Sequence, residues 1–579
     1  MIQQKTITPI PFCFCLFFLS FVFFSSCTKQ SEEEILASTL EKEIPRLMEA
    51  ANIPGLSIAV VRDGNIAWNK AFGVKSRQTK EPVNENTMFE AASLTKTVTA
   101  YAAMRLVEKG RLELDRPLHE YFPDKVYKKL SGDERYKKIT ARLVLTHTTG
   151  LPNWGTRLMR DPGIQYAYSG EGFLYLGRAI EQISGMTLQE FAQKEIFDPL
   201  GMDHTSYVWN ETYAANGACG HDSHGSVHAL RKRTEPNGGA SLLTTASDYA
   251  AFICAVLNAE GLSQETINQM ISPHVQVTKN RNTAELFENV YWGLGWGIQP
   301  GETGDSFWHW GDNGDLRAYT ATYKDLREGF VYFTNSNNGL AIAEAISGLI
   351  VSDHQYALDW LEYEKYDEPK RLNRLAVEAA FTEEGKEAGM KKLREAIETF
   401  PELAEEDYLT ALAEYLGESG KKEDAVSVFE YCLETLPQSG GAYIGLGLIH
   451  MDLGQNQEAI DSFESALKIL KGHRLTTRAL QWAREVLKVA ENPVALSAAE
   501  MEKFAGDYGA RRIILRDGSL YYKREDRPEY RLRPLTKDTF ALEGYASLRL
   551  QFVSDENGRI AKIIGLYIQG NTDESLRDQ

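Results

Sequence analysis

The chain has 579 residues, 43% hydrophobic and 25% charged, with 63 Lys+Arg against 81 Asp+Glu and a formal net charge of −18. This is enough apolar material for about three or four units of common size, and it excludes low-complexity, collagenous and wholly disordered chains. So acidic a chain is a poor non-specific nucleic-acid binder, because phosphates need a basic surface.

Lys5 precedes an apolar run from Phe12 to Phe24. At about 13 residues the run has signal h-region length and is short for a bilayer span. Ser25 and Ser26 before Cys27 resemble a bacterial lipoprotein signal, although Phe24 stands where such signals usually carry Leu. The resemblance implies loss of residues 1–26 and lipidation of Cys27; a plain cleaved signal or an uncleaved anchor are the alternatives. All three export the chain, so a cell-envelope location outside the cytoplasm is expected, with a lipid anchor. The six cysteines, Cys13, Cys15, Cys27, Cys219, Cys254 and Cys432, include no C-x-x-C pair. Neither a disulfide framework nor a thiolate zinc site is expected.

Ser31-Glu32-Glu33-Glu34 reads as a capping box that opens an amphipathic helix with Leu36, Leu40, Ile44 and Leu47 on one face. Gly55–Val61, a turn at Asp63-Gly64 and Ile66–Phe72 read as a hairpin. Later strands are predicted at Val290–Ile298, Phe307–Trp310, Leu316–Tyr323 and Gly329–Thr334, with helix and loop between the two groups. Strands at both ends with helices between predict one α+β unit over residues 32–355.

Residues 356–492 read as all-helical, with an internal repeat. Gly420, Ala425, Phe429, Cys432 and Leu433 recur 34 residues later as Gly454, Ala459, Phe463, Ala466 and Leu467. A looser copy, Gly389, Leu393, Ala396 and Pro401, lies 36 residues before Ala425, Phe429, Cys432 and Pro437. Small residues let paired helices approach and the aromatic fills the gap, so the period resembles tetratricopeptide repeats. That implies either a docking groove for a protein partner or a rigid spacer. Residues 498–572 switch to period two, with turns at Asp517-Gly518 and Asn557-Gly558. Strands are expected at Ile513–Leu515, Leu520–Lys523, Tyr530–Leu532, Ser547–Phe552 and Ile560–Tyr567. A small antiparallel β domain is predicted there.

The chemistry is carried by Ser93, Lys96, Tyr168 and His309. Ser93 opens a helical stretch with Val98, Tyr101, Ala102 and Leu106 buried and Gly110 as its C-cap. A helix N-terminus favours an alkoxide and offers backbone N–H groups to an oxyanion. Lys96, three residues on, shares the face of Ser93 and can take its proton if desolvated. S-x-x-K alone is a weak pattern, but it occurs with S-D-N and K-T-G in penicillin-recognising enzymes. Here Tyr168-Ser169-Gly170 follows 75 residues after Ser93, and His309-Trp310-Gly311-Asp312 stands much later. Leu114-Asp115-Arg116-Pro117-Leu118, Leu145-Thr146-His147-Thr148-Thr149-Gly150-Leu151-Pro152 and Gly238-Gly239-Ala240 stand at matching places.

In these motifs the chain resembles the class C β-lactamase-like serine hydrolases, which include β-lactamases, low-molecular-weight penicillin-binding proteins, D-amino-acid peptidases and esterases. The resemblance implies a β-lactamase/transpeptidase-like α+β fold, an antiparallel sheet flanked by helices. It implies Ser93 as acylated nucleophile, Lys96 as its activator and Tyr168 as general base or relay. His309-Trp310-Gly311 falls at the K-T-G position. Gly170, Trp310, Gly311 and Asp312 fall on the substrate and oxyanion side, with the N–H groups of Ser93 and Asp312 as oxyanion donors. Two departures stand out. Gly170 replaces the usual Asn that grips a substrate amide, and His309, partly charged near pH 7, replaces the Lys that holds a substrate carboxylate. Both tilt the expectation from a true β-lactamase towards an esterase or D-Ala-type peptidase. The β domain resembles the accessory domains appended to such hydrolases.

No cofactor and no metal are expected: His204, His221, His224 and His228 cluster in a polar loop rather than in a ligand pattern, and His147 is read as structuring a helix-end turn. The expected function is an exported serine hydrolase acting on a small-molecule or peptide carbonyl. The alternative is a retired hydrolase domain serving as a ligand- or peptide-binding lipoprotein through its repeats.

Overall fold

The computed structural model describes residues 32–122, 132–280, 282–351, 353–525 and 527–578, together with the backbone course of 13–31. The expected leader, residues 1–26, and the expected lipidation site Cys27 lie outside the residues whose side chains are described. Among the described residues no helix is long and apolar enough to cross a membrane. The chain forms two compact units, residues 1–368 and 369–579.

The first unit is built on eight antiparallel strands: β1 (Gly55–Arg62), β2 (Asn65–Gly73), β3 (Val275–Thr278), β4 (Leu286–Trp292), β5 (Gly297–Gln299), β6 (Ser306–Asp312), β7 (Arg317–Tyr323) and β8 (Glu328–Thr334). Their order is β2-β1-β8-β7-β6-β5-β4-β3, so the early hairpin completes a sheet made mostly by the late strands. The apolar run Ile58–Val61 of β1 fits burial on both faces. Ile58 and Val60 pack with Leu40, Ile44 and Ile346, whereas Ala59 and Val61 face the other side with Val98, Tyr249 and Phe333.

Helices α1 (Cys13–Ala51) and α5 (Ala343–Ile350) therefore cover one face. Helices α2 (Thr95–Glu108), α3 (Gly170–Ser184) and α4 (Ala246–Asn258) cover the opposite face. A last short helix, α6 (Tyr356–Leu361), lies in this unit, past residue 355.

Two expectations are corrected here. The capping box does not open α1, which runs through Ser31 from Cys13. The single strand expected over Val290–Ile298 is a hairpin, pairing Tyr291 with Ile298. Gly293 and Gly295 make its turn. Gly295 has φ +92°, and a Cβ there would lie 2.3 Å from that of Ala100 on α2.

The second unit begins with antiparallel helices: α7 (Pro369–Ala379), α8 (Lys386–Thr399), α9 (Glu406–Glu418), α10 (Lys422–Thr435), α11 (Gly440–Asp452), α12 (Asn456–Ile469) and α13 (Arg474–Glu491). The repeat positions Ala425, Phe429, Cys432, Ala459, Phe463 and Ala466 are all fully buried. Gly445 and Gly447 of α11 meet the rings of Phe429 and Phe463, which leave no room for a Cβ. An eight-stranded antiparallel meander, β9 (Gly506–Tyr508) to β16 (Thr572–Leu576), follows in sequence order. Its end returns to its start, where Asp578 N donates to Asp507 O at 2.9 Å. The five expected strands are present, and three short ones add to them: Gly506–Tyr508, Thr539–Leu542 and Thr572–Leu576.

Candidate active site

Ser93 lies in a 3-10 turn, Ala92–Leu94, that runs directly into α2. Ala92 has φ +47°, unusual for a residue with a Cβ, so the turn before Ser93 is strained. Thr95 braces it: its hydroxyl donates to Ala92 O at 2.5 Å and accepts from Leu242 N at 3.0 Å. On the other side the β6 backbone comes close. A Cβ on Gly311 would stand 2.5 Å from Ala91 O and 3.3 Å from Ala92 Cβ, so only glycine lets the strand approach the turn.

Lys96 is fully buried. Its Nζ donates to Ser93 Oγ at 2.9 Å and to Gly239 O at 2.7 Å, and lies 4.8 Å from the Tyr168 ring centre. Burial pulls its pKa down to about 7, so a neutral amine is accessible near neutrality.

Tyr168 immediately precedes Ser169, the N-cap of α3. The Ser169 side chain accepts from Gly172 N at 3.0 Å and donates to Pro152 O at 2.8 Å. His147, at φ +55°, accepts from Ser169 N through Nδ1 at 3.0 Å, and its ring lies 4.3 Å from that of Tyr168. It thus orders the turn that presents Tyr168. Burial drives the Tyr168 pKa well upward, opposed by the neighbouring Ser93 hydroxyl.

His309 is fully buried on β6, with Nδ1 2.7 Å from Trp310 O and its ring against those of Trp292 and Trp310. Burial, reinforced by Lys96, lowers its pKa to about 3. The partial positive charge expected near pH 7 is therefore absent, and the imidazole is neutral.

The structure thus brings Ser93, Lys96 and Tyr168 together, whereas His309 stands beside them, its ring centre 6.3 Å from that of Tyr168, buried and outside the cavity lining. Ser93, Tyr168, Trp310 and Asp312 line a cavity of about 450 Å³. Gly311 and Gly170 contribute by lacking side chains. At Gly170 a Cβ would sit 2.7 Å from the Trp154 ring and 2.9 Å from the Asn153 carboxamide oxygen, which accepts from Gly170 N at 2.9 Å. The carboxamide of Asn153 therefore occupies the space beside Gly170.

Sequence reasoning missed Asn153, Trp360 and Tyr363, which also line the cavity. No motif marks them, although Asn153 directly follows the Leu151-Pro152 match.

Behind the site, buried Glu90 accepts from Asn313 Nδ2 at 2.6 Å and Arg231 Nη1 at 3.0 Å, and Arg231 also pairs with Asp315. This network ties the segment entering Ser93 to the loop leaving β6. The histidine cluster is engaged in protein contacts: His221 Nδ1 meets Asn335 O at 2.8 Å and His228 Nδ1 meets Asp315 at 2.7 Å.

Comparison with known proteins gives the family of the first unit. The family model described as Beta-lactamase matches residues 40–352, just over half of the chain, and that described as Tetratricopeptide repeat matches residues 440–469. Protein flp of Staphylococcus aureus (strain N315) is 24% identical over 267 residues, 42% of this chain and 52% of that protein. The chain thus spans about half the length of the first curated relatives it matches. A beta-lactamase of Escherichia coli (strain K12) is 22% identical over 377 residues, 60% of this chain and 94% of its own. Among solved structures, a D-alanine carboxypeptidase AmpC from Burkholderia cenocepacia has a TM-score of 0.47 at 22% identity, covering 54% of this chain and 99% of its own. A class C beta-lactamase has 0.47 at 21%, covering 55% and 97%.

Proposed function

The chain belongs to the beta-lactamase family, and from that premise we propose that it is a serine hydrolase that turns over through an acyl-enzyme on Ser93. The observation that carries this reading is the 2.9 Å contact between Ser93 Oγ and Nζ of a fully buried Lys96 whose pKa is lowered to about 7. Once deprotonated, Lys96 keeps one amine proton on Gly239 O and turns its lone pair to the serine hydroxyl to which it otherwise donates. Lys96 takes the Ser93 proton as Oγ bonds to the substrate carbonyl carbon. The N–H groups of Ser93 and Asp312 receive the oxyanion. Tyr168 stays a neutral phenol, because burial holds its pKa up, so it relays a proton to the leaving group rather than acting as a standing phenolate. Water then cleaves the acyl-enzyme by the same route in reverse, and Ser93 and Lys96 return to their starting states.

Esters fit better than β-lactams or peptides with a free D-Ala carboxylate. A neutral imidazole at His309 offers that carboxylate no charge, and Gly170 offers a substrate amide no side-chain carboxamide. The repeats are assigned a protein partner. The leader assigns the chain to the bacterial cell envelope, lipid-anchored through Cys27; this rests on sequence alone.

Intact-mass measurement after a fluorophosphonate probe tests the central claim. One adduct on the wild type and none on Ser93→Ala is expected; no adduct on folded wild type overturns the reading.

A further inference from the structure

The family match ends at residue 352, but the cavity beside Ser93 does not. Part of its wall is made by Trp360, on α6, and Tyr363, just beyond that helix. Both are partly buried, and both are pinned by their polar atoms rather than left to swing. Trp360 Nε1 donates to Thr278 O at 3.0 Å, and its ring meets those of Trp310 at 5.8 Å and Tyr166 at 5.9 Å, edge to face. Tyr363 Oη donates to Asp312 Oδ2 at 2.6 Å, while the Arg317 guanidinium lies 4.8 Å from its ring centre. Asp312 is occupied in turn, since it accepts from Gly314 N at 2.8 Å and pairs with Arg317 at 3.3 Å. Its carboxylate is thus spent within the protein.

Four aromatic side chains, Tyr166, Trp310, Trp360 and Tyr363, thus form part of the cavity lining. At about 450 Å³ the cavity has the size of a small-ligand site. Aromatic faces held at fixed angles by hydrogen-bonded handles favour a flat apolar group. We propose that Trp360 and Tyr363, with Trp310, form a specificity subsite that takes an uncharged, ring-sized apolar group of the substrate. This rests on the hydrolase reading and deepens it. The group can belong to the acyl or the alcohol side of an ester, and the chemistry of the wall is the same for both.

The test uses the full-length protein and three esters: methyl acetate, methyl phenylacetate and benzyl acetate, with acid release followed by pH-stat. Wild type is expected to favour one ring-bearing ester over methyl acetate by about tenfold or more in kcat/KM, and which one tells the side. Trp360→Ala is expected to reduce that preference to under about twofold, chiefly through KM, with methyl acetate and Ser93 labelling unchanged. Trp360→Phe, which keeps a ring, retains most of it. Should Trp360→Ala not fold, Trp360→Leu, which fills the space without a ring, carries the same expectation. Wild type that labels at Ser93 but hydrolyses all three esters alike overturns the subsite alone. So does a Trp360→Ala variant that slows all three equally or keeps the preference. Wild type that neither labels nor hydrolyses overturns the hydrolase reading, and the subsite with it.

Discussion

Lys96, the base of the proposed mechanism, has its pKa pulled to about 7 by burial, so activity is expected to rise with pH through about 7, where the amine becomes free to accept the Ser93 proton. A pH–kcat/KM profile with an acid limb near 5 and none near 7 would contradict this assignment. The same burial weakens the fold. The unfolded chain binds a proton near 10.5 that the folded one releases near 7, so stability rises with pH between those values and carries the full penalty below 7. That penalty is on the order of 5 kcal/mol. Lys96→Met removes it but strands the Gly239 carbonyl, an opposing loss of about 1–2 kcal/mol. The variant is expected to be inactive and roughly 3 kcal/mol more stable at pH 6, with the gain shrinking above pH 7 in denaturant titrations. Gly311 makes the complementary case, where a side chain is excluded. Gly311→Ala sets a Cβ against the Ala91 carbonyl and pushes β6 from the Ser93 turn. A loss of about 1–3 kcal/mol in stability is expected. A fall in kcat larger than in KM is expected with it, read by urea melts and steady-state kinetics.

At the element scale, the sheet brings the two halves of the site together. β6 is a central strand between β5 and β7, and its glycine lets it lie against the turn that starts α2. The repeats obey a different rule. Each aromatic, Phe429 or Phe463, fills a notch made by a glycine of α11, so one side chain locks two helices. Phe463→Ala is expected to destabilise the second unit by about 3–5 kcal/mol. Ester hydrolysis at Ser93 is expected to stay unchanged, because residue 463 lies in the other compact unit. Circular dichroism melts beside activity assays separate the two effects.

For the whole molecule, two units with separate apolar cores predict separable stability. Calorimetry of the full chain is expected to show more than one transition. A piece ending at Glu368 is expected to label at Ser93 at the full-length rate. One ending at residue 352 would lack Trp360 and Tyr363 and so the aromatic wall of the cavity.

Much of this was legible in the residues. Ser93 and Lys96 are local in sequence, and helical spacing alone puts them side by side. The 34-residue period likewise announces its helix pairs, because each repeat packs only on its neighbours. Period-two runs with Asp-Gly and Asn-Gly turns located the longer strands of the β domain. The shorter strands, such as Gly506–Tyr508, carry too few residues to show a period. The break in Val290–Ile298 was hidden because a hairpin that turns on Gly293 and Gly295 reads as one apolar run.

Other features depend on distance in the chain. That His309 is neutral follows from burial among Trp292 and Trp310 beside Lys96, and a sequence does not state burial. That Asn153 fills the gap at Gly170, and that Trp360 and Tyr363 wall the cavity, depends on loops whose approach only the packed sheet fixes. Sequence determined the chemistry carried by neighbours along the chain; tertiary structure decided charge state and cavity shape, because both are set by groups brought close from far away.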